Sequence, residues 1–154
     1  MDPDIDFKAL FGQFDTMLMG RKTFEAMATQ RGAGMPGMKV IVFSKTLRQN
    51  DYPKVTIVGE NPAKTVGELK AQKKGKDIWL FGGGALFRTF LDLGLVDTVE
   101  PAVIPVLLGG GIPLLPAPAA RAKLKLTGHK LYQKTGIVLL EYAVVPATAR
   151  RRKA

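Results

Sequence analysis

Two spacings of apolar residues alternate along the chain and divide it into elements. Phe7, Leu10, Phe11 and Phe14 recur at three and four residues, which predicts a helix from Asp4 to Phe14. Thr16-Met17-Leu18-Met19 is a short apolar run with strand character. Gly20-Arg21-Lys22-Thr23 follows it, and Phe24 and Met27 open a second helix. Lys39 to Phe43 predicts a strand ending in Ser44-Lys45-Thr46, and Val55 to Val58 a shorter one. Asn61-Pro62 pairs a cap residue with a first-turn proline, so a helix is expected to about Lys74. Ile78-Trp79-Leu80-Phe81 is a continuous apolar run, the pattern of a strand buried on both faces. Gly82-Gly83-Gly84 follows. Leu86, Phe87, Phe90 and Leu91 then sit at helical spacing, closed by Gly94.

Beyond Gly94 the pattern changes. The residues from Val96 to Leu108 read as an extended strand carrying Pro101 and Pro105, so an edge position or a bulge is expected. Gly109-Gly110-Gly111-Ile112-Pro113 is a second glycine-rich loop. Lys123 to Thr127 and His129 to Tyr132 alternate, Lys134-Thr135-Gly136 is a turn, and Ile137 to Val145 is a last strand. Together they predict an antiparallel hairpin, with His129 as an exposed strand residue. Strands that alternate with helices and end in a hairpin give an α/β fold: a mainly parallel mixed sheet with an antiparallel C-terminal hairpin. The expected organisation is one domain over residues 1–146 and a basic flexible tail over 147–154.

Chemistry concentrates where strands end. Three successive glycines between a strand and a helix let a ligand approach the backbone, and the helix N-terminus offers N–H groups to phosphate. The dinucleotide fingerprint does not fit, because the sixth position counted from Gly82 is Phe87. The P-loop does not fit either, since Asp77 follows the only Gly-Lys pair, Gly75-Lys76. Arg21, Lys22 and Thr23 place two cations and a hydroxyl at one strand end, and Ser44 and Lys45 a hydroxyl and a cation at another. A net charge of +10 favours anionic partners such as a polyphosphate cofactor. Basic and aromatic residues do not interleave as in an RNA-binding sheet, so nucleic acid is not expected as a partner. The chain has no cysteine and one histidine, which excludes thiol chemistry and a multi-histidine metal centre. Asp2, Asp4 and Asp6 oppose a signal peptide, and no long apolar run is present, so a soluble cytoplasmic protein is expected, away from membranes.

Three stretches, Met17 to Phe24, Val40 to Lys45 and Leu80 to Phe87, resemble in order and spacing the dihydrofolate reductase superfamily. The likeness is strongest to the reductase half of the riboflavin-pathway deaminase–reductase and its stand-alone relatives, a branch that Leu107-Leu108-Gly109-Gly110-Gly111-Ile112 also resembles. It spans about residues 4 to 145 and carries helices on both faces of the sheet. The family's first strand, central in its sheet, has no counterpart here; a preceding segment or a partner would complete the sheet. The resemblance implies NADPH-dependent reduction of a pterin- or pyrimidine-like ring, such as a phosphoribosylaminouracil. A dihydrofolate reductase is the alternative, and a non-catalytic nucleotide-binding protein the alternative of another class. It implies cofactor contacts from Gly20, Arg21, Lys22, Thr23, Ser44, Lys45, Gly82, Gly83, Gly84, Ala85 and Leu86, with Ser44 and Lys45 near the adenosine 2′-phosphate. It also implies a substrate-orienting carboxylate at Asp4, substrate contacts from Phe7, Leu108 and Gly110, no metal, a homodimer, and a cis peptide between Gly82 and Gly83.

Overall fold

A computed structural model describes residues 2–31, 37–72 and 75–146. The tail 147–154 and part of the 32–37 loop lie outside the described residues. Four parallel strands form the first sheet in the order β3-β2-β1-β4: β1 Phe14–Gly20, β2 Lys39–Phe43, β3 Thr56–Val58 and β4 Asp77–Gly82. Alternate residues of β1 face opposite sides, and each side has its own core. Met17 and Met19 join Val40, Val42 and Phe24 of α2, Arg21–Arg31. Leu18 joins Ile41, Val66 of α3, Pro62–Ala71, and Phe90 of α4, Gly84–Asp92. Helices therefore cover both faces, as expected. The first helix, α1, is shorter than its periodicity predicts, Phe7–Gly12, because Phe14 enters the β1 ladder opposite Asp77. Phe11 of α1 still packs inward, stacking on Trp79, which also stacks with Phe14 of β1.

The second sheet is antiparallel. Strand β8, Ile137–Val145, pairs along its length with β7, Lys123–Tyr132, in the expected hairpin. On its other side lie β5, Thr98–Val99, and β6, Ala102–Val103. These two are one extended stretch interrupted at Glu100 and Pro101, which matches the edge position predicted from its prolines. No ladder joins the two sheets among the described residues. Strand β4 is therefore an edge strand with β1 as its one neighbour. This corrects the reading of Ile78-Trp79-Leu80-Phe81 as buried on both faces: Phe81 is 37% exposed and the others are half-buried.

Candidate functional site

The register of the parallel sheet brings three strand ends level. Gly20 of β1 is paired with Phe43 of β2, and Met19 with Gly82 of β4. Arg21, Lys22 and Thr23 form the first turn of α2 immediately after β1, with no acidic residue in that turn. Gly84 begins α4 just after β4, and its first intrahelical bonds run from the N–H groups of Leu86 and Phe87 to the Gly83 carbonyl. The N–H groups of Gly84 and Ala85 precede those bonds and aim at whatever lies beyond the strand ends. Two helix N-termini thus start at one end of the sheet, where a dipole end and backbone donors favour an anion.

Each glycine of the turn resists a larger residue, Gly82 by its backbone conformation and Gly83 and Gly84 by crowding. The Gly82–Gly83 peptide is cis, as the resemblance implies, and Gly82 has φ +153°. A methyl group on Gly83 would lie 3.3 Å from the Thr23 hydroxyl, which ties the first turn of α2 to this loop. One on Gly84 would lie 2.9 Å from Pro116 and 3.1 Å from the carbonyl oxygens of Pro113 and Leu114. The second glycine-rich loop therefore packs onto the first through its proline end.

The other residues named from sequence fall in different places. Ser44 is buried, and its hydroxyl accepts from the N–H groups of Thr46 and Leu47 at 3.2 and 3.0 Å, so it shapes the β2 exit. Lys45 beside it is exposed. Arg21 reaches Glu25 one turn along α2 at 3.1 Å, an exposed pair of small energetic weight. Asp4 pairs with Lys134 at 2.9 Å, on the surface. Phe7 lines a cavity of about 1400 Å³ together with Trp79, Phe81 and the glycine turn; Ile112, Pro113 and Leu114 line it where Leu108 and Gly110 were expected. Leu108 and Gly110 are exposed and do not line it.

Glu100 is a cavity residue that the sequence reading passed over. Burial raises its pKa above the ordinary carboxylate value, and the nearby carboxylates of Glu141 and Asp77 add to the shift. Its only sequence signal is a charge inside an otherwise apolar strand, next to Pro101. Among the described residues no group of acidic or histidine side chains is arranged to hold a metal ion, and no helix is long and apolar enough to cross a membrane.

Two curated proteins and two solved structures are similar to this chain. The protein YyaP of Bacillus subtilis (strain 168) is 34% identical over 154 aligned residues, covering 92% of this chain and 80% of YyaP. YwjB of the same organism is 30% identical over 131 residues, covering 84% of this chain and 74% of YwjB. Among solved structures, a "Putative riboflavin biosynthesis protein" of Shewanella sp. PV-4 superposes with a TM-score of 0.77 at 22% identity, covering 95% of this chain and 84% of that one. A pyrimidine reductase-like protein of Corynebacterium diphtheriae gives a TM-score of 0.62 at 16% identity, covering 87% and 77%. At those identities the two structures establish a shared fold. The model of the RibD C-terminal domain matches residues 4–138, and with the curated relatives it shows that this chain belongs to the RibD C-terminal domain family.

Proposed function

We propose that the chain is an NADPH-dependent reductase of a pterin- or pyrimidine-like ring. The observation that carries this reading is the level register of Gly20, Phe43 and Gly82, which gathers the α2 cations, Lys45 and the glycine turn at one end of the sheet. The residues fit the cofactor in kind. A Cβ is crowded at Gly83 and has no room at Gly84, the N–H groups of Gly84 and Ala85 suit the pyrophosphate, and Lys45 and Arg21 supply charge for a 2′-phosphate. NADPH, when bound, supplies the hydride. The protein holds and orients: the glycine turn borders the 1400 Å³ cavity, so a ring seated against Trp79 and Phe81 would lie beside the cofactor turn. Replacing Arg21 and Lys45 together with alanine is expected to weaken NADPH binding far more than NADH binding in a fluorescence titration. Equal loss for both cofactors would remove the 2′-phosphate assignment. Oxidation of NADPH in the presence of a ribosylaminopyrimidine, and not of dihydrofolate, would set the substrate class.

A further inference from the structure

The exposed apolar loop after β6 and the glycine turn before α4 share one support. From Pro101 to Ala120 no side chain carries a charge or a hydrogen-bonding group. Ala102 to Leu114 are all exposed, Leu107 and Ile112 almost completely, whereas Leu115 and Pro116 are half-buried. The loop's own backbone holds it weakly: among the described residues, the hydrogen bond within it runs from Val106 N–H to the Ile104 carbonyl at 2.8 Å. Its firm hold comes from α4. At the first residue of that helix, Pro116 and the carbonyl oxygens of Pro113 and Leu114 crowd the Cβ position of Gly84. One turn further, the Arg88 guanidinium donates to the carbonyls of Ala117 and Pro118 at 3.3 and 3.2 Å. Residues one turn apart lie on the same helix face, so a single face of α4 carries the loop base. The turn that carries it is the one whose free N–H groups belong to the proposed cofactor site.

We propose that this loop couples self-association to cofactor binding: a second copy of the chain covers its tip, and each event strengthens the other. The inference rests on the NADPH reading above. A second copy suits the tip because a stretch without charges can meet itself with no like-charge contact, even in a chain of net charge +10, and buries no charged side chain. The sign of the coupling follows from the freedom each event removes. Phosphate on the N–H groups of Gly84 and Ala85 fixes the first turn of α4, and with it the loop base from Pro113 to Pro118. Cover over Leu107 and Ile112 fixes the same loop from its other end. Whichever event comes second finds part of the ordering already done, so it is the tighter for it.

The Leu107→Asp variant puts a charge at the tip, and because Leu107 is fully exposed the fold should survive it. The variant is expected to be monomeric by light scattering and to bind NADPH about fivefold more weakly than the wild type in a fluorescence titration, the low end of ordinary coupling between sites. Diluting the wild type below its association midpoint should weaken NADPH binding by the same factor, and NADPH should in turn move that midpoint to lower protein concentration. Arg88→Ala removes one of the two holds on the loop base. It should still associate and still bind NADPH, with the coupling factor reduced. Equal NADPH affinity in the wild type and Leu107→Asp overturns the proposal. So does a wild type that stays monomeric with NADPH bound, or an undiminished factor in Arg88→Ala. Failure of either protein to bind NADPH removes the cofactor reading itself, and the coupling falls with it.

Discussion

Gly84 sits where the two glycine-rich loops touch, and its lack of a side chain is a packing requirement. A Cβ placed 2.9 Å from Pro116 must displace that ring or the α4 N-terminus. Gly84→Ala should therefore lower stability by about 1–3 kcal/mol, the usual cost of overpacking, read as a fall in the thermal midpoint. Glu100 shows the opposite kind of sensitivity, to charge. Its folded pKa is raised, so the native state holds the proton more tightly than the unfolded chain does. Stability then falls as pH rises from the ordinary glutamate range through the raised value, and the cost is fully present above it. Glu100→Gln should remove that decline and raise the melting temperature at neutral pH, while leaving the most acidic end of the profile unchanged. Thermal melts of both proteins across the acid to neutral range check this. At this scale the sequence was partly legible. Arg21, Thr23 and the three glycines announced themselves by residue type at strand ends. The partial desolvation of Glu100 did not, because the groups around it, Glu141 and Asp77 among them, are far apart in sequence. Ser44 was legible as a strand-end hydroxyl, yet its bonds to Thr46 and Leu47 point it at its own loop.

Elements with strong periodicity emerged nearly as written. Strand β2 keeps its expected bounds, α3 carries the Asn61 cap with its side chain accepting from Lys64 N–H at 3.3 Å, and β8 runs as read. The failures share one cause, the neighbour an element actually has. Phe14 fits the helical spacing of α1, but a ladder partner in β4 takes it into β1. The apolar run of β4 has the composition of a central strand and the surroundings of an edge. The entry to β4 is fixed by Asp15, whose carboxylate accepts from Lys76 N–H and the Thr16 hydroxyl, both at 2.8 Å. The Lys76 N–H, then the Thr16 hydroxyl, lower its pKa against the pull of burial. That contribution is present above the ordinary aspartate range and is lost as pH falls through the lowered value. Asp15→Ala should cost about 1–2 kcal/mol near neutral pH and much less in strong acid, measured by urea unfolding at both.

At the scale of the whole molecule, the apolar surface is unevenly spread. Val103, Ile104, Val106, Leu107, Leu108, Ile112 and Leu114 are all exposed, Leu107 and Ile112 almost completely. Exposed apolar residues concentrated in one stretch are the usual raw material of an association surface. We propose a homodimer through this loop; light scattering at high concentration should give about twice the 16.7 kDa chain mass, and a monomer mass would refute it. The α/β class was readable from element order alone, whereas the split into two sheets was not, since it depends on which edges meet. The halves are tied by polar links: Asp2 to Thr135, Asp4 to Lys134, Lys70 to Asp97, and Arg88 to the carbonyls of Ala117 and Pro118. Such links are individually weak, and none propagates order as a continuous ladder does. The hairpin half is built from contacts local in sequence, whereas the parallel half needs distant segments to meet. Two separate transitions in a calorimetric melt are the expected outcome, with one half outlasting the other as the temperature rises.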